Sequence, residues 1–282
     1  MKEFKGKVAV ITGGTSGIGR AIAERCADEG MKVVIAGMDV SALEKTENDL
    51  KVKGASVLAL KIDVSKLSQV EELAQRTIST YNEVHFLFNN AGVEAGTTIW
   101  ESSISDWQWV LDVNLWGVIF GIKVFVPLML GQKNECHIVN TASTAGFNAG
   151  PGLGIYKVTK HAIVTLSETL YYELAARESK IRVSVLCPGW VKTSILQSER
   201  NRPSELRSPQ RPVKSNLQDI EIEKMIYEGV TTGMEPTVVA DKAFNANRLD
   251  KFYIFTHPEA KPLIQARMED ILNESNPRID LA

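Results

Sequence analysis

Two ionisable side chains, Tyr156 and Lys160, lie four residues apart where a turn-rich segment gives way to an apolar-periodic helix. This spacing places a phenol and an ammonium group on one face of the helix. A nearby cation favours the charged form of a phenol, so Lys160 is predicted to lower the pKa of Tyr156 from its ordinary value near ~10. Such a phenol could act as a general acid or base at neutral pH.

Ser143 ends the apolar run before the same loop and is the third residue of this candidate site. Its hydroxyl could hold a substrate oxygen, so the three side chains would form an acid/base site for a carbonyl or carbinol. The alternative is a surface pair, because the spacing Tyr-x-x-x-Lys also arises by chance. The amino-terminal half of the chain favours the catalytic interpretation.

A glycine-rich turn, residues 12–19, follows the first apolar run and precedes an amphipathic helix. Gly13, Gly17 and Gly19 lack the side chains that would keep a pyrophosphate away from backbone N–H groups, and the helix directs its positive end at the phosphates. The spacing is Gly-x-x-x-Gly-x-Gly, not the commoner Gly-x-Gly-x-x-Gly, and a plain strand–helix turn is the alternative. We predict a dinucleotide site here.

Residues 37–39 decide the predicted cofactor preference. Gly37 stands where an acidic side chain would bond the ribose hydroxyls of NAD, Met38 is uncharged, and Asp39 comes two positions later. Without an acid at residue 37, no carboxylate there would repel a phosphate on the ribose 2′ position. The absence of this acid therefore favours NADP, with NAD as the alternative.

Short apolar runs alternate with helical patterns along the whole chain, which predicts an α/β fold: a doubly wound parallel sheet of seven strands with helices on both faces. We expect one domain over residues 1–282, with a substrate-binding flap at 194–235 and a helix–strand–helix extension at 236–282. Within the flap, the polar, proline-containing stretch 197–219 is expected to be mobile. The predicted strands are 7–11, 32–36, 56–62, 84–88, 137–141, 182–187 and 251–256.

Composition argues against several classes of protein. The 282 residues carry a formal net charge of -2, which offers no field to gather nucleic acid or an anionic membrane. Three widely spaced cysteines, Cys26, Cys136 and Cys187, suggest neither disulfides nor a metal site. The first residues match neither a signal peptide nor a membrane span, so cytoplasm is the expected location.

Taken in order, the motifs closely resemble those of the short-chain dehydrogenase/reductase family. The resemblance covers residues 5 to about 195 and is carried by Thr12–Gly19, Asp63, Asn89–Gly92, Asn114, Ser143, Tyr156-x-x-x-Lys160 and Pro188-Gly189. It implies a single-domain Rossmann fold with strand order 3-2-1-4-5-6-7. It also implies hydride transfer between nicotinamide C4 and a carbonyl or alcohol carbon.

The same resemblance implies a role for each matching residue. Tyr156 would be the general acid/base, Lys160 would lower its pKa and bond the nicotinamide ribose, Ser143 would orient the substrate oxygen, and Asn114 would hold a relay water. The implied cofactor contacts are Gly13, Ser16, Gly17 and Ile18 for the pyrophosphate region, Gly37 and Met38 for the ribose 2′ position, Asp63 and Val64 for the adenine, Asn89 and Ala91 for the adjacent ribose, and Pro188, Gly189, Val191 and Thr193 around the carboxamide end.

Apolar residues in the loops around this site predict a hydrophobic ketone, aldehyde or secondary alcohol as substrate, although core or lid packing explains them equally well. They are Phe147, Leu153, Trp190, Ile195 and Leu196.

The resemblance further implies a homodimer or homotetramer built through the helices that hold Asn114 and Tyr156. A redox-sensing dinucleotide-binding protein and a redox-neutral dehydratase or epimerase on the same fold stay open as alternatives.

Overall fold

The computed structural model describes residues 3–96, 98–207 and 217–278. Within these ranges, seven parallel strands form one sheet in the order β3-β2-β1-β4-β5-β6-β7. The predicted fold and the strand order implied by the resemblance are confirmed. The strands are β1 Val8–Thr12, β2 Lys32–Gly37, β3 Val57–Lys61, β4 Phe86–Asn89, β5 Cys136–Thr141, β6 Ile181–Cys187 and β7 Tyr253–Phe255.

Helices connect the strands and cover both faces of the sheet. In the described ranges they are α1 Gly17–Asp28, α2 Val40–Val52, α3 Leu67–Tyr81, α4 Ile104–Leu111, α5 Gly117–Gln132, α6 Gly154–Ala176, α7 Leu217–Thr232, α8 Pro236–Arg248 and α9 Lys261–Leu272. A π-helical turn, Asp112–Trp116, joins α4 to α5, so the helical segment from Ile104 to Gln132 changes its hydrogen-bond pattern at this turn.

The core follows the two-residue alternation of the strands. On β1, Ala9 and Ile11 face α1 and α8, whereas Val8 and Val10 face α3 and α5. All four side chains are buried because each face of the sheet is covered by helices. A strand at this central place in the sheet must therefore be apolar at successive residues, as the β-branched, apolar sequence of β1 is.

The order of the strands reverses between β1 and β4, which are neighbours in the sheet although β2 and β3 lie between them in sequence. A ligand crevice opens at such a point, at the carboxyl ends of the strands. Thr12 ties the two strand ends together: its hydroxyl donates to the Phe88 carbonyl at 3.3 Å and accepts from the Asn90 and Ala91 N–H groups at 2.9 and 3.1 Å.

The first part of the predicted flap is pinned to the body of the protein. Arg202 is 5% exposed, forms an ion pair with Asp106 at 2.6 Å and lies over the Trp109 ring at 5.0 Å. Short 3-10 turns, Ile195–Asn201 and Ser204–Leu206, shape this stretch, and α7 follows from residue 217. Residues 208–216, the rest of the stretch predicted to be mobile, lie outside the described residues.

By length and composition, residues Ile104–Gln132 could span a membrane, with mean hydropathy 1.9. Core helices of globular proteins meet the same criterion. Here Val118, Phe125 and Met129 of α5 are buried in the two cores beside the sheet. Packing within the fold therefore accounts for these three apolar side chains, and 33% of the apolar window is buried.

Candidate active site

The loop between β1 and α1 forms a cradle that only glycine backbones permit. Gly13 and Gly17 have φ values of +66° and +50°, in the left-handed region. A Cβ on Gly19 would lie 2.2 Å from the Gly13 carbonyl oxygen. Because α1 begins at Gly17 without a side-chain cap from Ser16, its first N–H groups can meet an anion. The geometry fits the pyrophosphate predicted here.

A cleft of about 1600 Å³ runs along the carboxyl ends of the strands and collects most of the predicted site. The predicted residues that line it are Gly13, Ser16, Gly17, Ile18, Gly37, Met38, Asp63, Val64, Ala91, Ser143, Tyr156, Lys160, Pro188, Gly189, Val191 and Thr193. Asn89 and Asn114 lie outside its walls.

The structure does not place the side chain of Asn89, which the resemblance assigns to the cofactor, in the cleft. Its side chain is 2% exposed and points into the core, where its amide donates to Asn140 Oδ1 at 2.9 Å. Asn90, the next residue, lines the cleft instead. The reason is the alternation of strand side chains, since a shift of one residue moves a side chain to the opposite side.

Asn114 sits on the π-helical turn and is fully buried. Its amide oxygen accepts from the Val93 N–H at 2.8 Å, and its amide nitrogen donates to the Val93 carbonyl at 2.9 Å and Thr159 Oγ1 at 3.3 Å. The side chain thus braces the loop after β4 against α6. The relay water assigned to Asn114 stays a prediction.

Lys160 is buried beside Tyr156 on α6. Its Nζ donates to the Thr141 carbonyl at 2.8 Å and lies 5.2 Å from the centroid of the Tyr156 ring. Burial lowers the pKa of Lys160 to about 8, because removing an ammonium from water disfavours its charged form. The predicted pairing of the two side chains at the cleft is therefore present.

The predicted direction of the Tyr156 pKa shift is wrong. Burial raises the pKa of Tyr156 to about 12; the interaction with the Ser143 hydroxyl opposes this rise, and the Glu94 carboxylate adds to it. Desolvation is the largest cause of this shift, and the Lys160 ammonium is directed at the Thr141 carbonyl. At neutral pH the phenol is consequently protonated and suited to donating a proton.

Ser143 faces the cleft from the end of β5, 8% exposed. Its Oγ donates to the Pro188 carbonyl at 3.1 Å and accepts from the Ala145 N–H at 3.1 Å. These bonds fix the hydroxyl near the phenol. A substrate oxygen between the two hydroxyls would meet two donors.

The loop of Pro188 and Gly189 is held by a residue that the sequence did not mark. The Gly189 N–H donates to His257 Nδ1 at 2.9 Å, and a Cβ at Gly189 would lie 2.7 Å from the imidazole ring. His257 itself lines the cleft. Its position after the last strand, distant from every motif, gave no signal of this contact.

Four of the five predicted apolar residues, Leu153, Trp190, Ile195 and Leu196, line the cleft. Phe147 does not: its ring packs on Tyr253 and Phe255, with centroids 6.1 and 5.2 Å apart. The structure also shows cleft-lining residues that the sequence analysis did not name. From α7 they are Met225, Ile226 and Val230, and from α9 Leu263, Ala266, Arg267, Asp270 and Ile271.

A sequence profile of the family described as short chain dehydrogenase matches residues 7–204. The chain belongs to the short-chain dehydrogenase/reductase family. The crystal structure of a short-chain dehydrogenase/reductase from Burkholderia phymatum in complex with NAD is 45% identical, covers 100% of both chains and superposes with a TM-score of 0.96. As a member of this family, the chain is an oxidoreductase that acts on a CH–OH group or the corresponding carbonyl.

Two relatives match most of the chain. The CLA biosynthesis dehydrogenase/reductase of Lactiplantibacillus plantarum is 35% identical over 281 residues, covering 100% of this chain and 98% of the relative. The 1-deoxy-11-beta-hydroxypentalenate dehydrogenase of Streptomyces exfoliatus is 31% identical over 267 residues, covering 94% and 88%. Both similarities reach past residue 204, into the segment that forms part of the cleft wall.

Proposed function

We propose that this enzyme interconverts a hydrophobic ketone or aldehyde and the corresponding alcohol, with NAD(P) as hydride carrier and Tyr156 as general acid/base. The observation that carries the proposal is the meeting of Tyr156, Ser143 and Lys160 at the wall of one cleft that also holds the glycine cradle. Relatives with the names dehydrogenase and reductase support it.

In the direction of reduction, the protonated Tyr156 donates its phenol proton to the substrate oxygen. Ser143 holds that oxygen by turning its hydroxyl from the Pro188 carbonyl, which it meets at 3.1 Å. The Lys160 ammonium stabilises the phenolate that remains. When bound, the nicotinamide supplies or accepts the hydride; the glycine cradle and residues 63–64 would hold the nucleotide.

We further propose NAD as the preferred cofactor, in place of the NADP that the missing acid at Gly37 favours. Asp39 lines the cleft beside Gly37 and Met38 and accepts from the Ala42 N–H at 3.1 Å, which fixes its carboxylate at the start of α2. A 2′-phosphate near this carboxylate would bring like charges together. The relative from Burkholderia phymatum, crystallised with NAD, adds support.

An assembly of two or four copies extends the proposal. Trp116 before α5, and Val158 and Tyr172 on α6, are 45%, 44% and 71% exposed, although all three are large and apolar or aromatic. We propose that these helices pack against a second copy. A mass measured by light scattering that equals one chain would contradict this part.

The proposed function is tested by turnover. The purified protein is incubated with NADH or NADPH and hydrophobic ketones, and with NAD or NADP and secondary alcohols, while absorbance of the reduced nucleotide is followed. We expect stoichiometric change for at least one substrate. Nucleotide binding without net change of absorbance across the panel would instead favour the sensing or redox-neutral alternatives.

A further inference from the structure

The carboxyl-terminal helix α9 presents one face to the cleft. Leu263, Ala266, Arg267, Asp270 and Ile271 line it, at the spacing i, i+3, i+4, i+7 and i+8 that marks one face of a helix. Helix α7 and the loop after β5 complete this end of the cleft with apolar side chains. These are Leu153, Met225 and Ile226, with Trp190 after β6.

Arg267 brings a charge into this mostly apolar wall. Its side chain is partly buried, and Nη1 lies 3.5 Å from the Phe147 carbonyl oxygen, at the outer limit of a hydrogen bond. In the part of the chain that the structure describes, no carboxylate oxygen lies within 4.0 Å of this guanidinium. Most of its five N–H donors are therefore left for a ligand.

The acids nearest to Arg267 on α9 are committed to other residues. Asp270, three residues further along, accepts from Arg278 Nε at 2.9 Å. Glu269 accepts from Gln265 at 2.8 Å and pairs with Arg278 at 3.6 Å. Arg278 thus occupies both carboxylates that could otherwise neutralise Arg267.

The other cations of the substrate end are engaged in shaping loops. Lys157 donates to the carbonyls of Gly150 and Pro151 at 2.9 and 3.1 Å. Arg200 donates to two carbonyls of its own 3-10 turn at 2.9 and 2.8 Å. By comparison, the weak contact of Arg267 with a single carbonyl leaves it the best placed of the three to receive an anion.

We propose that Arg267 binds a carboxylate carried by the hydrophobic substrate, at a distance from the carbon that is oxidised or reduced. A partly desolvated guanidinium gains most from an anion, and its planar fork matches a carboxylate in two parallel hydrogen bonds. Phe147, which Arg267 contacts, follows Ser143 by four residues, so their Cα atoms are at most about 14 Å apart. The inferred substrate class is a hydroxy or oxo fatty acid, and the inference rests on the proposed function of the cleft.

The decisive comparison is between an acid and its methyl ester. Hydroxy fatty acids of one chain length, differing in the position of the hydroxyl, are each assayed beside their esters with the wild-type enzyme and with Arg267→Gln. For the preferred position we expect kcat/KM of the wild type to be roughly ten- to hundredfold higher for the acid. Arg267→Gln should remove this preference for the acid, mainly by raising KM of the acid, and should change kcat/KM of the ester much less.

Lys261→Gln provides the matched control, because it removes a positive charge from the exposed start of the same helix, outside the cleft walls. It should keep the preference for the acid. The inference is overturned if Arg267→Gln keeps the ratio, or if Lys261→Gln loses it equally.

A binding measurement separates this inference from the proposed function. Decanoate is titrated calorimetrically into the wild type and Arg267→Gln, with no turnover required. Binding weakened at least about tenfold by the substitution supports the carboxylate site, and equal binding overturns it. Turnover of esters and simple secondary alcohols, in contrast, tests the proposed function alone.

Discussion

The Lys160 ammonium donates a hydrogen bond to the main-chain carbonyl of Thr141 at 2.8 Å. This bond joins α6 to the end of β5 and fixes the charge beneath Tyr156. It is made by a buried group whose pKa falls from its ordinary value of 10.5 to about 8. The proposed catalytic site therefore contains a cation whose charged form is disfavoured by folding.

This burial predicts a dependence of stability on pH. Between about pH 8 and pH 10 the unfolded chain binds more protons at Lys160 than the folded chain, so the contribution of Lys160 to the free energy of unfolding rises with pH. This contribution increases by up to about 1.4 kcal/mol per pH unit. Burial raises the pKa of the Cys26, Cys136 and Cys187 thiols, whose contribution falls with pH and is common to the wild type and a Lys160 variant. Lys160→Met should lack the contribution of Lys160, and urea unfolding of both proteins across this window measures the difference. Parallel curves would contradict the burial of a titrating lysine.

Tyr156→Phe should reduce kcat by about 10²–10⁴, because it removes the proton donor. Ser143→Ala should reduce kcat by about 10²–10³ through loss of one donor to the substrate oxygen. Steady-state turnover gives both values. Calorimetric titration with NADH is the control and should show unchanged nucleotide affinity. Wild-type turnover by Tyr156→Phe would remove Tyr156 from the mechanism.

The ion pair of Arg202 with Asp106 should make a large contribution to stability. The side chains are 3% and 13% exposed, and removing one partner of such a pair costs about 3–5 kcal/mol. Arg202→Leu is compared by urea unfolding with Arg200→Leu, whose guanidinium is exposed and bonds only carbonyl groups. The control should lose less than about 1.5 kcal/mol. Equal losses would show that the pair has no special role.

Cofactor preference should follow the Asp39 carboxylate. We expect kcat/KM for NADH to exceed that for NADPH by at least about tenfold, because like charges repel near the 2′ position. Asp39→Asn should narrow the ratio without loss of stability, since asparagine also caps a helix amino terminus. Kinetics with both nucleotides test this, and a preference for NADPH in the wild type would refute it.

Much of the fold was accessible from local sequence. Continuous apolar runs such as residues 32–36 indicated strands buried on both faces, and their alternation with helices indicated a parallel sheet. Glycine and polar motifs then had to meet at the carboxyl ends of the strands. The cleft-lining positions of Gly13, Ser143 and Tyr156 agree with this expectation.

Other features depended on distances in space. The pKa of Tyr156 is governed by burial, which no spacing along the chain expresses. Asn89 and Asn90 could not be distinguished without knowing where β4 ends, since one residue changes the side that a side chain faces. Arg202 meets Asp106 across 96 positions of sequence, and Arg267 reaches the loop at Phe147 across 120.

Helix α9 forms a wall of the cleft while none of its own residues is buried. The side chains proposed for the chemical step, by contrast, are anchored in or beside the sheet. Under the proposed function, substrate selectivity and reactivity therefore depend on different parts of the molecule. Exchanging the last helix between relatives should give hybrids that keep their catalytic machinery and acquire a new choice of substrate.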